Sequence, residues 1–203
     1  MPPKAKFARE EIVRAALEIV RKKGPKGLTA RALGVELGSS TRPIFTVFQS
    51  MEEVEQEAFK AADALYESRL KEEMSKGEYP PYKASGMGYI RFAREEGELF
   101  KWLFMRDRSQ EKIDTQEKQL KPILDLLQKN MGLEAERAYR FHMEMWIFVH
   151  GIATMIVTGY LNWDMKIVSG VLTDAYCGLR SRYLEEGKRD AGNSDGEADK
   201  EIR

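Results

Sequence analysis

The sequence predicts an all-α protein in two parts. Residues 1–50 read as a three-helix domain of helix-turn-helix form and residues 51–187 as a larger C-terminal helical bundle, about nine helices in total. Three observations predict this. Apolar residues recur at helical spacing in almost every segment. The breaks between segments are short and rich in Gly, Pro, Asn and Asp. Nowhere does apolar and polar alternation with a period of two run long enough for a strand.

Taken in order, residues 8–22, "AREEIVRAALEIVRK", place Ile12, Ala15, Ala16, Ile19 and Val20 on one face, and "KKGPKG" ends the run. Thr29 is placed to cap a second helix reaching Leu37, with Leu33 and Leu37 turned inward. Gly38 supplies the positive φ that closes it, and Gly34 lets the next element cross closely. Ser40 is expected to cap a third helix over about 41–47, anchored by Ile44, Val47 and Phe48 and presenting Thr41, Arg42, Phe45 and Thr46 outward. Pro43 is tolerated in its first turn, where a missing N–H breaks no helical bond. Ser50 and Glu53 make an S-x-x-E capping box that opens a long helix to about Ser75, and "KGEYPPY" breaks it. Further helices are expected over 84–96, 98–106, about 115–130, 135–160 and 165–186. The tail, 188–203, lacks the apolar residues to fold and is expected to be disordered.

The 203 residues are 42 % hydrophobic and 33 % charged, an ordinary soluble composition. No run approaches the roughly 20 apolar residues of a membrane span, and the charged start "MPPKAKFAREE" does not resemble a signal peptide, so no membrane partner and a cytoplasmic location are expected. One cysteine, Cys177, excludes an internal disulfide and a cysteine-based zinc cluster. Net charge is zero, yet residues 1–50 hold ten Lys and Arg against four Asp and Glu. A positive first quarter suits an anionic partner. Helix N-termini offer free N–H groups and a positive dipole end to phosphates, and Arg42 is placed to reach the O6 and N7 of a guanine.

Over residues 7–60 the chain resembles the TetR family of bacterial transcription regulators. The resemblance rests on the first-helix pattern, the "G-x-x-x-LT" approach, the turn at Gly38, the Phe45-x-x-Phe48 spacing and the restart at Ser50 and Glu53. It implies a homodimer that sets two recognition helices in successive major grooves of a near-palindromic operator, and repression relieved by a small-molecule effector. The DNA-binding candidates are Thr29, Arg31, Ser40, Thr41, Arg42, Pro43, Phe45 and Thr46, with Lys4 and Lys6 on a basic N-terminal arm that also carries Arg9. Ser39, Phe45 and Met51 depart from the family's usual apolar residue, tyrosine and lysine.

The C-terminal half resembles the branch of that family marked by Trp-His-Gly residues, here Trp146, His150 and Gly151. Trp146 and His150 lie four apart on one helical face with Met143 adjoining, and Tyr89, Phe92, Trp102, Phe104 and Met105 are expected to complete an adaptable apolar lining for the effector. The same stripe also suits a plain core, and His150 either a ligand anchor or a satisfied core histidine. Neither His142 nor His150 has partners at metal-ligand spacing, so no metal or cofactor is expected. The dimer candidates are Gly151, Met155, Gly159, Val168, Val171, Leu172, Ala175, Gly178, Leu179 and Arg182, on two helices suited to a four-helix bundle across a two-fold axis. The alternative function is a helical small-molecule-binding protein or enzyme that lacks operator binding. No nucleophile, base and orienting group are grouped, which argues against an enzyme.

Overall fold

The computed structural model describes residues 6–109 and 113–198, with side chains over 6–109 and 120–186. Eight α-helices follow one another: α1 Arg9–Lys23, α2 Ala30–Glu36, α3 Met51–Ser75, α4 Pro81–Glu95, α5 Gly97–Phe104, α6 Ile113–Met131, α7 Ala135–Val157 and α8 Met165–Ala198. Two 3-10 turns, Pro25–Gly27 and Ile44–Thr46, interrupt the N-terminal part, and the described residues contain no strand.

The head, residues 6–50, forms as its sequence dictates with one correction. Ile12, Ala16, Ile19 and Val20 bury the inner face of α1 against Leu33, Ile44 and Phe48. The Thr29 hydroxyl accepts the Ala32 N–H at 3.1 Å and caps α2. Gly38 has φ +61, and a Cβ on Gly34 would stand 2.9 Å from the Ser39 carbonyl oxygen, so both glycines are needed where the chain turns. The expected third α-helix over 41–47 is instead a pair of turns and one 3-10 turn. Pro43 contributes no N–H, and the N–H groups of Ile44, Thr46 and Val47 donate to the carbonyls three residues back, Thr41, Pro43 and Ile44, which tightens the segment below an α-helical turn. With no α-helical N-terminus to satisfy, Ser40 makes no capping bond.

Helix α3 opens as predicted: the Ser50 hydroxyl accepts the Glu53 N–H at 3.3 Å, and Glu53 reaches back to the Gln49 N–H at 2.7 Å. Its first half buries Val54 and Ala58 with the head, and its second half packs on α4. Helix α4 is the central post of the body, with α3 on one side and α7 and α8 on the other. Gly88 and Gly86 permit these approaches, since Cβ atoms there would lie 3.0 Å from Leu70 and 3.2 Å from Val149. The principal apolar core runs without a break from Ile12 in the head to Leu172 in α8, while a second cluster around Leu127, Phe141 and Tyr183 ties α6, α7 and α8 together.

Three further expectations change. Helix α7 stops at Val157, and Gly159, φ +77, terminates it rather than lying on its packing face. Helix α8 starts at the Asp164 cap, whose carboxylate accepts the Ile167 N–H at 2.8 Å, and continues past 187 to Ala198. Three Gly, two Asp, one Asn and one Ser fall within 187–198, so intrinsic propensity does not account for the extension. No described helix is long and apolar enough to cross a membrane.

Candidate nucleic-acid interface and effector region

At the tip of the head the buried anchors Ile44 and Phe48 leave the intervening residues facing outward. Arg42, Phe45 and Thr46 are exposed and Thr41 and Pro43 are half-buried, so all five reach the surface of one small turn. The Thr46 hydroxyl donates to the Pro43 carbonyl at 2.7 Å, which holds the turn and leaves the oxygen lone pairs free to accept. Thr29 and Arg31 are exposed at the start of α2, and Ser40 is exposed beside Arg42. Arg31 and Arg42 pair with no carboxylate among the described residues, so their charge remains for an external partner. A groove of about 300 Å³ between α1 and α2 is edged by Lys22, Lys23 and Arg31.

Lys6 lies against the same turn, its ammonium donating to the Ser39 hydroxyl at 3.1 Å. The serine that departs from the family pattern therefore has a local partner. Lys4 lies outside the described residues. Arg9 is not free for phosphate: its guanidinium sits 4.2 Å from the centroid of the Phe48 ring and pairs with Glu53 at 2.8 Å. It braces the turn from behind.

In the body the aromatic set divides. Tyr89, Phe104, Trp146 and His150 come together around Phe100 and Tyr66, two residues absent from the expected lining. Phe100 could have been found from its i, i+4 pairing with Phe104 in "GELFKWLF", whereas the small apolar content of 63–75 hides Tyr66. Phe92 touches this group through Tyr66, but Trp102 turns away to meet Phe59 of α3 edge-on at 5.2 Å. Met105 is exposed just beyond α5, and Met143 is half-buried. The rings pack at 4.8–6.2 Å, as in a filled interior. A hollow of about 190 Å³ does lie between α3 and α4, but charged Arg69, Glu72, Glu73 and Arg91 line it.

Both histidines are stapled to α4. Tyr89 and His150 Nδ1 are 2.9 Å apart, and Tyr82 and His142 Nδ1 are 3.3 Å apart. Burial pushes both phenols far above the ordinary tyrosine range, so each stays protonated. Burial lowers both imidazoles, helped at His150 by the charge of Arg108, which favours their neutral form. Trp146 stacks on His150 with ring centroids 4.8 Å apart and planes within 13°. Among the described residues no group of three His, Cys, Asp or Glu is placed to hold a metal ion.

The dimer candidates also divide. Val168 and Leu172 are buried within their own subunit, Leu172 beside Gly86 of α4, so they cannot lie on a partner-facing surface. Met155 and Gly178 are exposed, while Gly151, Val171, Ala175 and Leu179 are half-buried. Arg182 is engaged with Glu144 at 2.8 Å. Ile147, Phe148 and Ile167 extend the apolar face, and periodicity could have found Ile147, which lies four and eight residues before Gly151 and Met155.

Residues 82–170 match the family described as "Tetracyclin repressor-like, C-terminal domain". That match runs from the first turn of α4 into α8 and supports the TetR resemblance, while the head lies outside it. No curated protein matches the chain.

Proposed function

We propose that this chain, a TetR-type regulator by its C-terminal domain, binds duplex operator DNA through the turn at residues 41–46 and releases it when a small apolar molecule binds among α4, α5 and α7. The single observation that carries this reading is the outward set Thr41, Arg42, Phe45 and Thr46, raised on buried Ile44 and Phe48 within a cationic head. Such a set reads base edges while nearby Lys6, Thr29 and Arg31 hold phosphates. The protein acts in the cytoplasm as a homodimer and a repressor. One short turn touches too few base pairs for useful specificity, and pairing two of them about 34 Å apart supplies the rest. The exposed Ile147 and Met155 on α7, flanking half-buried Gly151, and the exposed Ile167 and Gly178 on α8 support that pairing. Repression then depends on spacing: an effector that favours a conformer with wrongly spaced heads detaches one half-site.

A mobility-shift titration with duplex DNA from upstream of the protein's own gene tests this. The wild-type protein forms a salt-sensitive complex, and Arg42→Ala weakens it by about 1–3 kcal/mol, roughly 5- to 150-fold, with helical content unchanged. Equal affinity in the two proteins would remove the turn from the interface.

A further inference from the structure

Between α4 and α5 one residue, Glu96, leaves helical geometry, with φ −124 and ψ 48. Its backbone is held on both sides: its N–H donates to the Phe92 carbonyl and its carbonyl accepts from the Phe100 N–H, each at 2.8 Å. Its side chain is only 11 % exposed and points at the end of α1. There the Arg21 guanidinium grips both carboxylate oxygens, Nε to Oε2 at 2.6 Å and Nη2 to Oε1 at 2.9 Å, and its remaining Nη1 holds Glu18. A two-pronged, charge-assisted pair of this kind fixes direction as well as distance. The surrounding backbone is close-fitted. A Cβ on Gly24, the residue that ends α1 with φ +70, would lie 2.8 Å from Glu98 Oε2, and one on Gly97 would lie 3.1 Å from Val157 of α7.

We infer that Arg21 and Glu96 are positioning residues for DNA binding: their ion pair pins the far end of α1 to the α4–α5 corner and so fixes the rotation of the head. This rests on the operator-binding reading above. The head is joined to the body through α3 and through the packing of α1 on α5 within one apolar core. That core is non-directional, and the two-pronged ion pair adds a directional contact at the end of α1. The corner is also where α5 begins, the helix that brings Phe100 against His150 and Phe104 against Tyr89, so any shift of α5 is felt at the pin.

The test separates orientation from contact. The wild-type protein is used to select duplexes from a random pool, and the selected duplex is then remade with two base pairs inserted between its half-sites and as a single half-site. Wild-type affinity falls at least about tenfold on insertion, because the pinned heads cannot follow the displaced half-site. In Glu96→Gln, and in Arg21→Lys should the first variant fold poorly, that penalty shrinks at least about threefold while single half-site affinity stays within about twofold. Combining Arg21→Glu with Glu96→Arg restores the penalty. A spacing penalty unchanged in folded variants overturns the inference and leaves operator binding intact. Failure of the wild-type protein to select any duplex overturns both.

Discussion

Gly34 and Gly38 sit four residues apart in the same turn, yet their replacement by alanine costs stability for different reasons. At Gly34 the new methyl meets the backbone oxygen of Ser39 at 2.9 Å, an atom that cannot move without reopening the turn. Gly34→Ala is therefore expected to cost about 1–3 kcal/mol and to disturb the outward residues of the 41–46 turn. At Gly38 there is nothing within 4 Å, and the only penalty is the positive φ, about 1 kcal/mol. Urea unfolding of the two variants checks both, and a Gly34→Ala protein as stable as the wild type would mean that the close approach carries no strain. The glycines were legible from sequence because a turn of this kind restricts residue type by backbone geometry. Arg9 was not, since composition marks it only as a cation, and its place over Phe48 beside Glu53 depends on folding that brings residues 9, 48 and 53 together.

At the scale of helices, sequence periodicity located all eight, with ends displaced by a few residues except at the end of α8, and five of them stop at a positive-φ glycine that acts locally: Gly24, Gly38, Gly77, Gly132 and Gly159. The recognition segment was misread for the opposite reason. Residues 41–47 carry a helix-like apolar spacing, but Pro43 and the bonds to carbonyls three residues back decide for a tighter turn, and periodicity does not register that choice. The effector region was legible only in part. Helical spacing identifies which side chains share a face but not which neighbouring helix they meet, so Trp102 was grouped with His150 although it faces Phe59. The seam between α4 and α7 was equally hidden, and it has a measurable consequence. Both imidazoles are held below their ordinary pKa, so the folded state prefers them neutral and the unfolded state takes up protons first. Stability from this source is complete above about pH 6.5 and falls as pH drops below it. The urea midpoint should therefore decrease from pH 7.5 to 5.5, and His142→Asn, which keeps an acceptor for Tyr82 without titrating, should reduce that decrease. An unchanged slope would assign the pH dependence to other groups.

For the molecule as a whole, the continuous core explains why head and body are not independent units: Ile12 and Leu172 belong to one apolar cluster. What the core leaves outside is the face carrying Ile147, Phe148 and Met155, 63 %, 46 % and 45 % exposed. If this face joins two copies, Ile147→Glu or Met155→Glu raises the dimer dissociation constant at least about tenfold without loss of helicity, as sedimentation equilibrium would read it. A mass unchanged in both variants would place the interface elsewhere. Helix α3 has one more implication. It is 25 residues of unbroken α-helix that begin under the head and finish beside α4, with no hinge residue between. Deleting or inserting a single residue along it would swing the head through about 100° and move it by about 1.5 Å. The length of this rod is therefore fixed in two currencies at once, angle and reach.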